Sequence, residues 1–418
     1  MATIKKVIAR EILDSRAHPT IETIVELSDG AVGAYSVPSG VSLGKTEAKE
    51  LRDGDAQRYK GMGVLTALKN IGQILAPQLI GHEANDQETI DNIMILADNT
   101  PDKSNLGANA ILALSGAIAK ASAASQKLTL YQYIAKLTEL SIQEFVIPTP
   151  MFNVINGGAH GGDNIDFQEF LIVPPISRPY SMNLRMAVEI YYSLKEVLKT
   201  HNAQTLVGDE GGYAPTIYTN ADVFKILQEA VTQANYKVGL DIFFSVDVAA
   251  NHIKQGSSYK IKDRPMGLQS NDLIDFYIAL NEQFHLLSLE DPLSEDDWGA
   301  WSSLTEKIGG QIMITGDDLI TTNLERLKKA IATKACNAVI IKPNQAGTIS
   351  ETIKVVKEAK RSGFKVIVAN RSGETNDDFI ADLAVGVGAD HVKFGAPARG
   401  ERVAKYNRLL EIEHELSP

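Results

Sequence analysis

Apolar and polar residues along the chain change rhythm near residue 150. Before that point, Ile21-Glu22-Thr23-Ile24-Val25-Glu26-Leu27 mixes apolar and polar positions and stops at the turn-forming Ser28-Asp29-Gly30, so residues 3–37 read as strands. From 62 to 138 apolar residues recur at intervals of three and four, as in Leu65, Leu68, Ile71, Ile74 and Leu75, which predicts helices. Strands followed by helices suggest a small α+β unit. Asn109 to Ser125 is rich in small residues, carries Lys120 and is too short to span a bilayer, so it reads as a tightly packed core helix. The proline-rich Ile147-Pro148-Thr149-Pro150 is a plausible boundary, dividing a unit at 1–140 from one at 141–418.

Beyond it come six short apolar runs, each ending in polar residues: 243–249, 285–292, 311–318, 338–345, 365–372 and 391–397. The chemistry-bearing residue of each is Asp247, Glu290, Asp317, Lys342, Arg371 and Lys393, at intervals of 43, 27, 25, 29 and 22 residues. Helical patterns such as Ile349 to Ser362 fill the gaps. Serial strand–helix units of this size predict a closed parallel barrel, with all six residues at the C-terminal strand ends where barrel enzymes place their chemistry.

Asp247, Glu290 and Asp317 would then converge within a few ångströms. Three such carboxylates repel unless a cation joins them, and oxygen-only ligation favours Mg²⁺ over zinc. The alternative is a structural network with basic partners. Lys342 and Lys393 would point into the same mouth, where burial and neighbouring cations lower a lysine pKa and free the amine as a base. Two glycine-flanked segments add acids. Gly208-Asp209-Glu210-Gly211-Gly212-Tyr213 places Glu210 on a tight loop, and the glycine-rich 156–162 loop, with His160, leads into Phe167-Gln168-Glu169. Residues 38–44 could form a flexible lid.

Composition narrows the function. The 418 residues are 44% hydrophobic and 22% charged, which excludes disorder as the main state. A net charge of −11 makes the chain a poor non-specific binder of nucleic acid or anionic membranes, without excluding a small anion held through a bound cation. The single cysteine, Cys336, forbids an intrachain disulfide and fits a reducing compartment. The charged N-terminal segment lacks the apolar stretch of a signal peptide. A cytoplasmic location is the expectation.

In order along the chain stand ILDSR, PSGVSLG, ELRDGD, QEF, GDEGGYAP, SVD, LEDPL, GDDL, IIKPNQAGT, RSGET, KFGAP and AKYNRLL. With these motifs the chain resembles enolase from about residue 3 to 415. The resemblance implies a modified (β/α)₈ barrel of the enolase superfamily, with an early antiparallel element, behind an N-terminal α+β domain. It implies a lyase that interconverts 2-phosphoglycerate with phosphoenolpyruvate and water. By position, Asp247, Glu290 and Asp317 match ligands of a tight Mg²⁺, and Ser42 a lid ligand to a second Mg²⁺ shared with substrate. Lys342 matches the base at C2, and Glu210 the acid at the C3 hydroxyl, with Glu169 beside it. Arg371 and Ser372 match phosphate contacts; His160, Gln168 and Lys393 match groups that orient substrate. A homodimer or higher even oligomer is also implied, with Glu22 and Glu411 at positions where an acid commonly faces an arginine.

The chain departs from that pattern around the substrate. Asn370 replaces the usual histidine, Leu43 replaces a lid hydroxyl, Ala17 a glycine, Asn251-His252-Ile253 a Ser-Glu-aromatic run, and Phe394 a threonine. Two alternatives follow: a divergent paralogue acting on a related phosphonate or phosphorylated hydroxy acid, and a non-catalytic enolase-like binding protein.

Overall fold

The computed structural model describes residues 2–40, 44–139, 144–162 and 164–417. Strands β1 (Ile4–Leu13), β2 (Pro19–Leu27) and β3 (Val32–Ser36) form an antiparallel sheet in that order, as the sequence predicts. Helix Ala108–Ser125 lies against it. The small-residue composition of that helix follows from closeness: a Cβ on Gly33 of β3 would sit 2.2 Å from the Ala117 carbonyl oxygen. Lys120, near the end of the helix, reaches Asp377 at 2.9 Å.

The predicted helical stripe is interrupted. Ile71 and Leu75 are buried but Leu65 and Ile74 are exposed. Residues 71–75 form a π-helical turn, and one wider turn rotates the following apolar positions away from a strict 3.6-residue repeat.

The second sheet joins β4 (Thr149–Pro150), β5 (Phe152–Asn156), β6 (Glu169–Val173), β7 (Phe243–Asp247), β10 (Leu286–Glu290), β11 (Met313–Gly316), β12 (Ala338–Ile341), β13 (Lys365–Ala369) and β14 (His391–Lys393). A short hairpin, β8 (Lys254–Gln255) with β9 (Ser258–Tyr259), follows β7. The six apolar runs are β7 and β10 to β14, mutually parallel. Thr149 and Pro150 pair with His391 and Val392, so the proline-rich stretch begins the strand that closes the barrel. β4 and β5 are two ends of one strand, giving eight in all. Only β6 runs antiparallel to its neighbours. Its reversed direction brings Glu169, its first residue, level with Asp247, the last of β7.

The N-terminal layer is tied to the barrel mouth. The backbones of Ser39 and Gly373 exchange two hydrogen bonds, at 2.7 and 3.0 Å. Asp91 accepts from the Ser350 amide at 2.9 Å, and Ser115 Oγ from the Ile349 amide at 3.0 Å, at the start of helix Ile349–Arg361. Burial pushes the Asp91 carboxyl up to about 6. Ala17 sits at a φ of 60°, a left-handed conformation that a glycine adopts without strain. Glu22 pairs with Arg10, and Glu411 with Arg408 at 3.1 Å, so each of these acids has a basic partner within the chain.

Candidate active site

The strand ends deliver their side chains to one small cavity of about 30 Å³, lined by Glu47, His160, Gln168, Glu169, Glu210, Asp247, Asp317, Asp318, Lys342, Asn370, Arg371, Ser372 and Lys393. Asp247 and Glu290 are register partners on adjacent strands, and Asp317 follows the end of β11. All three are buried. Their oxygens do not gather into one tight triad as the sequence spacing suggested. The side chains able to ligate a metal that converge within 4.8 Å, among the described residues, are His160 with Glu169 and Glu210, and Asp291 with Asp317 and Asp318.

Ammonium groups stand between the carboxylates instead. Lys393 Nζ lies 2.8 Å from both Glu290 oxygens, 3.2 Å from Asp247 and 3.0 Å from Glu169. Lys342 Nζ pairs with Asp317 Oδ2. Burial alone would lower both lysines. The surrounding carboxylates outweigh it, holding Lys393 well above and Lys342 above the ordinary lysine value. In this arrangement both lysines are held in the charged form, whereas the lowering expected from the sequence is for lysines beside a bound cation. Burial raises Glu290 well above the carboxylate range, with Asp247 adding to it, and also raises Asp247. Burial and the neighbouring Asp317 push Asp318 up to about 7.

The donor set fits a hard divalent cation. Buried oxygens from three adjoining strand ends, with no sulfur and no imidazole among them, suit Mg²⁺. Loading it requires the ammonium groups to give way. Ser42, the lid position, lies outside the described residues.

In the second cluster, His160 Nδ1 meets Glu169 Oε1 at 3.1 Å. Burial, the largest single influence, would lower this imidazole, but the Glu169 hydrogen bond and the charges of Glu210, Glu169 and Asp247 together outweigh it and raise it. Glu210 stands on its glycine loop with Asn153 Nδ2 at 3.5 Å from Oε2. The loop glycines are needed there: a Cβ on Gly208 would meet the His160 carbonyl oxygen at 2.4 Å.

Arg371 is drawn tight by Glu47 at 2.9 Å and Asn344 at 3.0 Å. Gly40 packs against the guanidinium so closely that a Cβ would fall 1.8 Å from Nη2. Arg402 Nη2 donates to the Ser372 carbonyl at 2.8 Å, and Lys405 pairs with Glu374 at 2.9 Å, which pins the 371–375 loop from below. Gln345 Nε2 donates to Asp317 at 3.0 Å, while Thr322 donates to its Oε1 at 2.8 Å.

Among the described residues, every sequence-predicted site residue except Glu290 lines the cavity, and Glu290 touches it through Lys393. Sequence reasoning missed Glu47, Asn153, Asn344, Gln345 and Arg402. The run Lys342-Pro343-Asn344-Gln345 carried a signal for two of them. Glu47 and Arg402 reach the site from distant segments, and nothing local marks them.

Comparison with known families accounts for nearly the whole chain. Residues 4–134 match the family model described as "Enolase, N-terminal domain", and residues 144–418 the one described as "Enolase, C-terminal TIM barrel domain".

Proposed function

The chain belongs to the enolase family, and from that premise we propose that it is a Mg²⁺-dependent lyase interconverting 2-phosphoglycerate with phosphoenolpyruvate and water. The observation that carries this reading is the division of one cavity between two clusters. Lys342 pairs with Asp317 in one, and Glu210 stands with Glu169 and His160 in the other. Elimination of water across two adjacent carbons needs a base at the carbon that loses the proton and an acid at the hydroxyl that leaves the other.

In this reading Lys342 takes the C2 proton. Its amine must first be neutral, so the charge of Asp317 must be committed elsewhere. Magnesium held by Asp247, Glu290 and Asp317 would supply Lewis-acid stabilisation of the dianionic enediolate, with a second ion shared with substrate and Ser42. Glu210 gives its proton to the departing C3 hydroxyl, which leaves as water while the C2–C3 double bond forms. Glu169 and His160 stand beside Glu210. Arg371 and Ser372 receive the phosphate; Gln168, Asn370 and Lys393 orient the rest. The glycolytic and gluconeogenic setting, in the cytoplasm, belongs to the same proposal. Among the described residues no helix is long and apolar enough to cross a membrane.

One observation favours a second reading, a paralogue acting on a related phosphonate or phosphorylated hydroxy acid. It is the presence of Asn370 where the family usually has a histidine.

Isotope exchange at C2 tests the assignment of roles. Lys342→Ala should abolish exchange and lower turnover by roughly 10²–10⁴, the usual worth of a positioned base. Glu210→Gln should keep exchange and lose elimination. Equal loss of exchange in both variants would refute the division.

A further inference from the structure

Three carboxamides in the barrel mouth share one peculiarity. Asn370 Nδ2 donates to the Arg371 carbonyl at 3.0 Å. Gln168 Nε2 donates to Asp247 Oδ2 at 3.4 Å, and Asn153 Nδ2 to Glu210 Oε2 at 3.5 Å. Each nitrogen faces an oxygen that can only accept while the acids are ionised. Turning Asn370 over would set oxygen against oxygen whatever the acids carry, whereas Gln168 and Asn153 are fixed in this way only while Asp247 and Glu210 are ionised. Asn370 has the shortest of the three contacts, and its partner is a backbone carbonyl that never donates.

The other ends are unused. Asn370 Oδ1, Gln168 Oε1 and Asn153 Oδ1 are buried and have no hydrogen-bond partner among the described residues. Asn370 and Gln168 line the cavity itself. Buried carbonyl oxygens without a donor are costly and uncommon, so a donor is what the site lacks. Arg371, the next residue along the chain, is engaged with Glu47 and Asn344, and before Mg²⁺ is loaded Lys393 is held by Glu290, Asp247 and Glu169 and Lys342 by Asp317. Phosphate and carboxylate oxygens only accept and would be repelled by these carbonyls. A hydroxyl donates.

We propose that Asn370 is a specificity-determining residue whose Oδ1 accepts the hydrogen of a ligand hydroxyl, so that the site selects small phosphorylated or phosphono acids bearing a free hydroxyl over their deoxy analogues. A histidine at this position could donate or accept. Asn370, with Nδ2 tied to the backbone, offers only an acceptor. Gln168 adds a second such acceptor to the lining beside Asp247, and Asn153 a third behind it, next to Glu210. The inference rests on the cavity being the substrate site of the proposed function.

Calorimetric titration with Mg²⁺ present, in a Lys342→Ala background that halts turnover, tests it. Two matched pairs serve as probes: 2-phosphoglycerate against 2-phospholactate, which lacks the C3 hydroxyl, and a hydroxylated phosphono acid against its deoxy analogue. The hydroxylated member should bind about tenfold tighter or more, the worth of one well-made buried hydrogen bond. Asn370→Leu should bring the pair to within about twofold by weakening only the hydroxylated member, while Asn370→Asp, which keeps an acceptor, should retain a preference. Equal binding of both members to the parent protein would overturn the inference, since a resident water would then satisfy Oδ1. So would a preference that survives in Asn370→Leu, or an equal loss of both ligands. The parent comparison needs no Asn370 variant, so it stands even if Asn370→Leu fails to fold. Preference within the phosphono pair, with no binding of 2-phosphoglycerate, would uphold the inference and refute the proposed reaction. Binding of neither pair would refute both.

Discussion

Replacing Lys393 with methionine removes the ammonium that holds Glu290, Asp247 and Glu169 together at 2.8 to 3.2 Å. At an effective dielectric of about 20, each such contact near 3 Å represents roughly 5–6 kcal/mol of Coulomb attraction before desolvation is charged against it. What remains after the change is three buried carboxylates facing one another. Breaking a buried ion pair from one side typically costs about 3–5 kcal/mol, and that is the expected loss in cation-free buffer. A divalent cation should then recover much of it, because the ion no longer competes with an ammonium. A ligand at about 100 times its Kd stabilises by about 2.7 kcal/mol. Urea denaturation with and without Mg²⁺ reads this directly, using the fluorescence of Trp298 and Trp301, both in helix Trp298–Ile308 of the barrel. The variant should be less stable than the parent without Mg²⁺ and gain more from its addition. Unchanged stability in chelator, or an Mg²⁺ effect no larger than in the parent, would refute the idea that Lys393 is the stand-in cation of this site.

Gly40→Ala should push Arg371 from its place and weaken binding of phosphorylated ligands by about tenfold or more, a loss on the scale of one charge-assisted hydrogen bond, with little change in fold as read by circular dichroism. Ala17→Gly should raise stability by about 1 kcal/mol in urea titrations, because it relieves a left-handed alanine. Sedimentation across micromolar concentrations should show a homodimer. Arg10 pairs with Glu22, but Arg408 is shared among Asp382, Glu411 and Glu415, and Glu411 is largely exposed, so added salt should change the dimer little. A monomer throughout, or marked tightening with salt, would contradict that.

Six barrel strands were legible because parallel strands are buried on both faces and read as unbroken apolar runs. The strand from Thr149 to Asn156 was not, since Pro150, Asn153 and Asn156 interrupt its apolar pattern and the prolines look like a boundary. β6 escaped for another reason. Phe170-Leu171-Ile172-Val173 is apolar, but the chemistry sits at its start, and a rule that seeks polar residues at C-terminal strand ends looks past it. Strand ends also specify which residues meet, not which oxygen faces which nitrogen. Asp247, Glu290, Asp317, Lys342 and Lys393 were all foreseen at the mouth, yet the insertion of Lys393 between Asp247 and Glu290 is a property of packing in three dimensions. The π-turn at 71–75 likewise shifts register with no residue type that announces it.

The most direct test of the account is phosphoenolpyruvate formation, followed by ultraviolet absorbance, from purified protein and 2-phosphoglycerate. The account predicts product when Mg²⁺ is present, its loss on chelation and its loss in Lys342→Ala. Absence of product from the unaltered protein at saturating Mg²⁺, or product formation indifferent to Lys342, would contradict it.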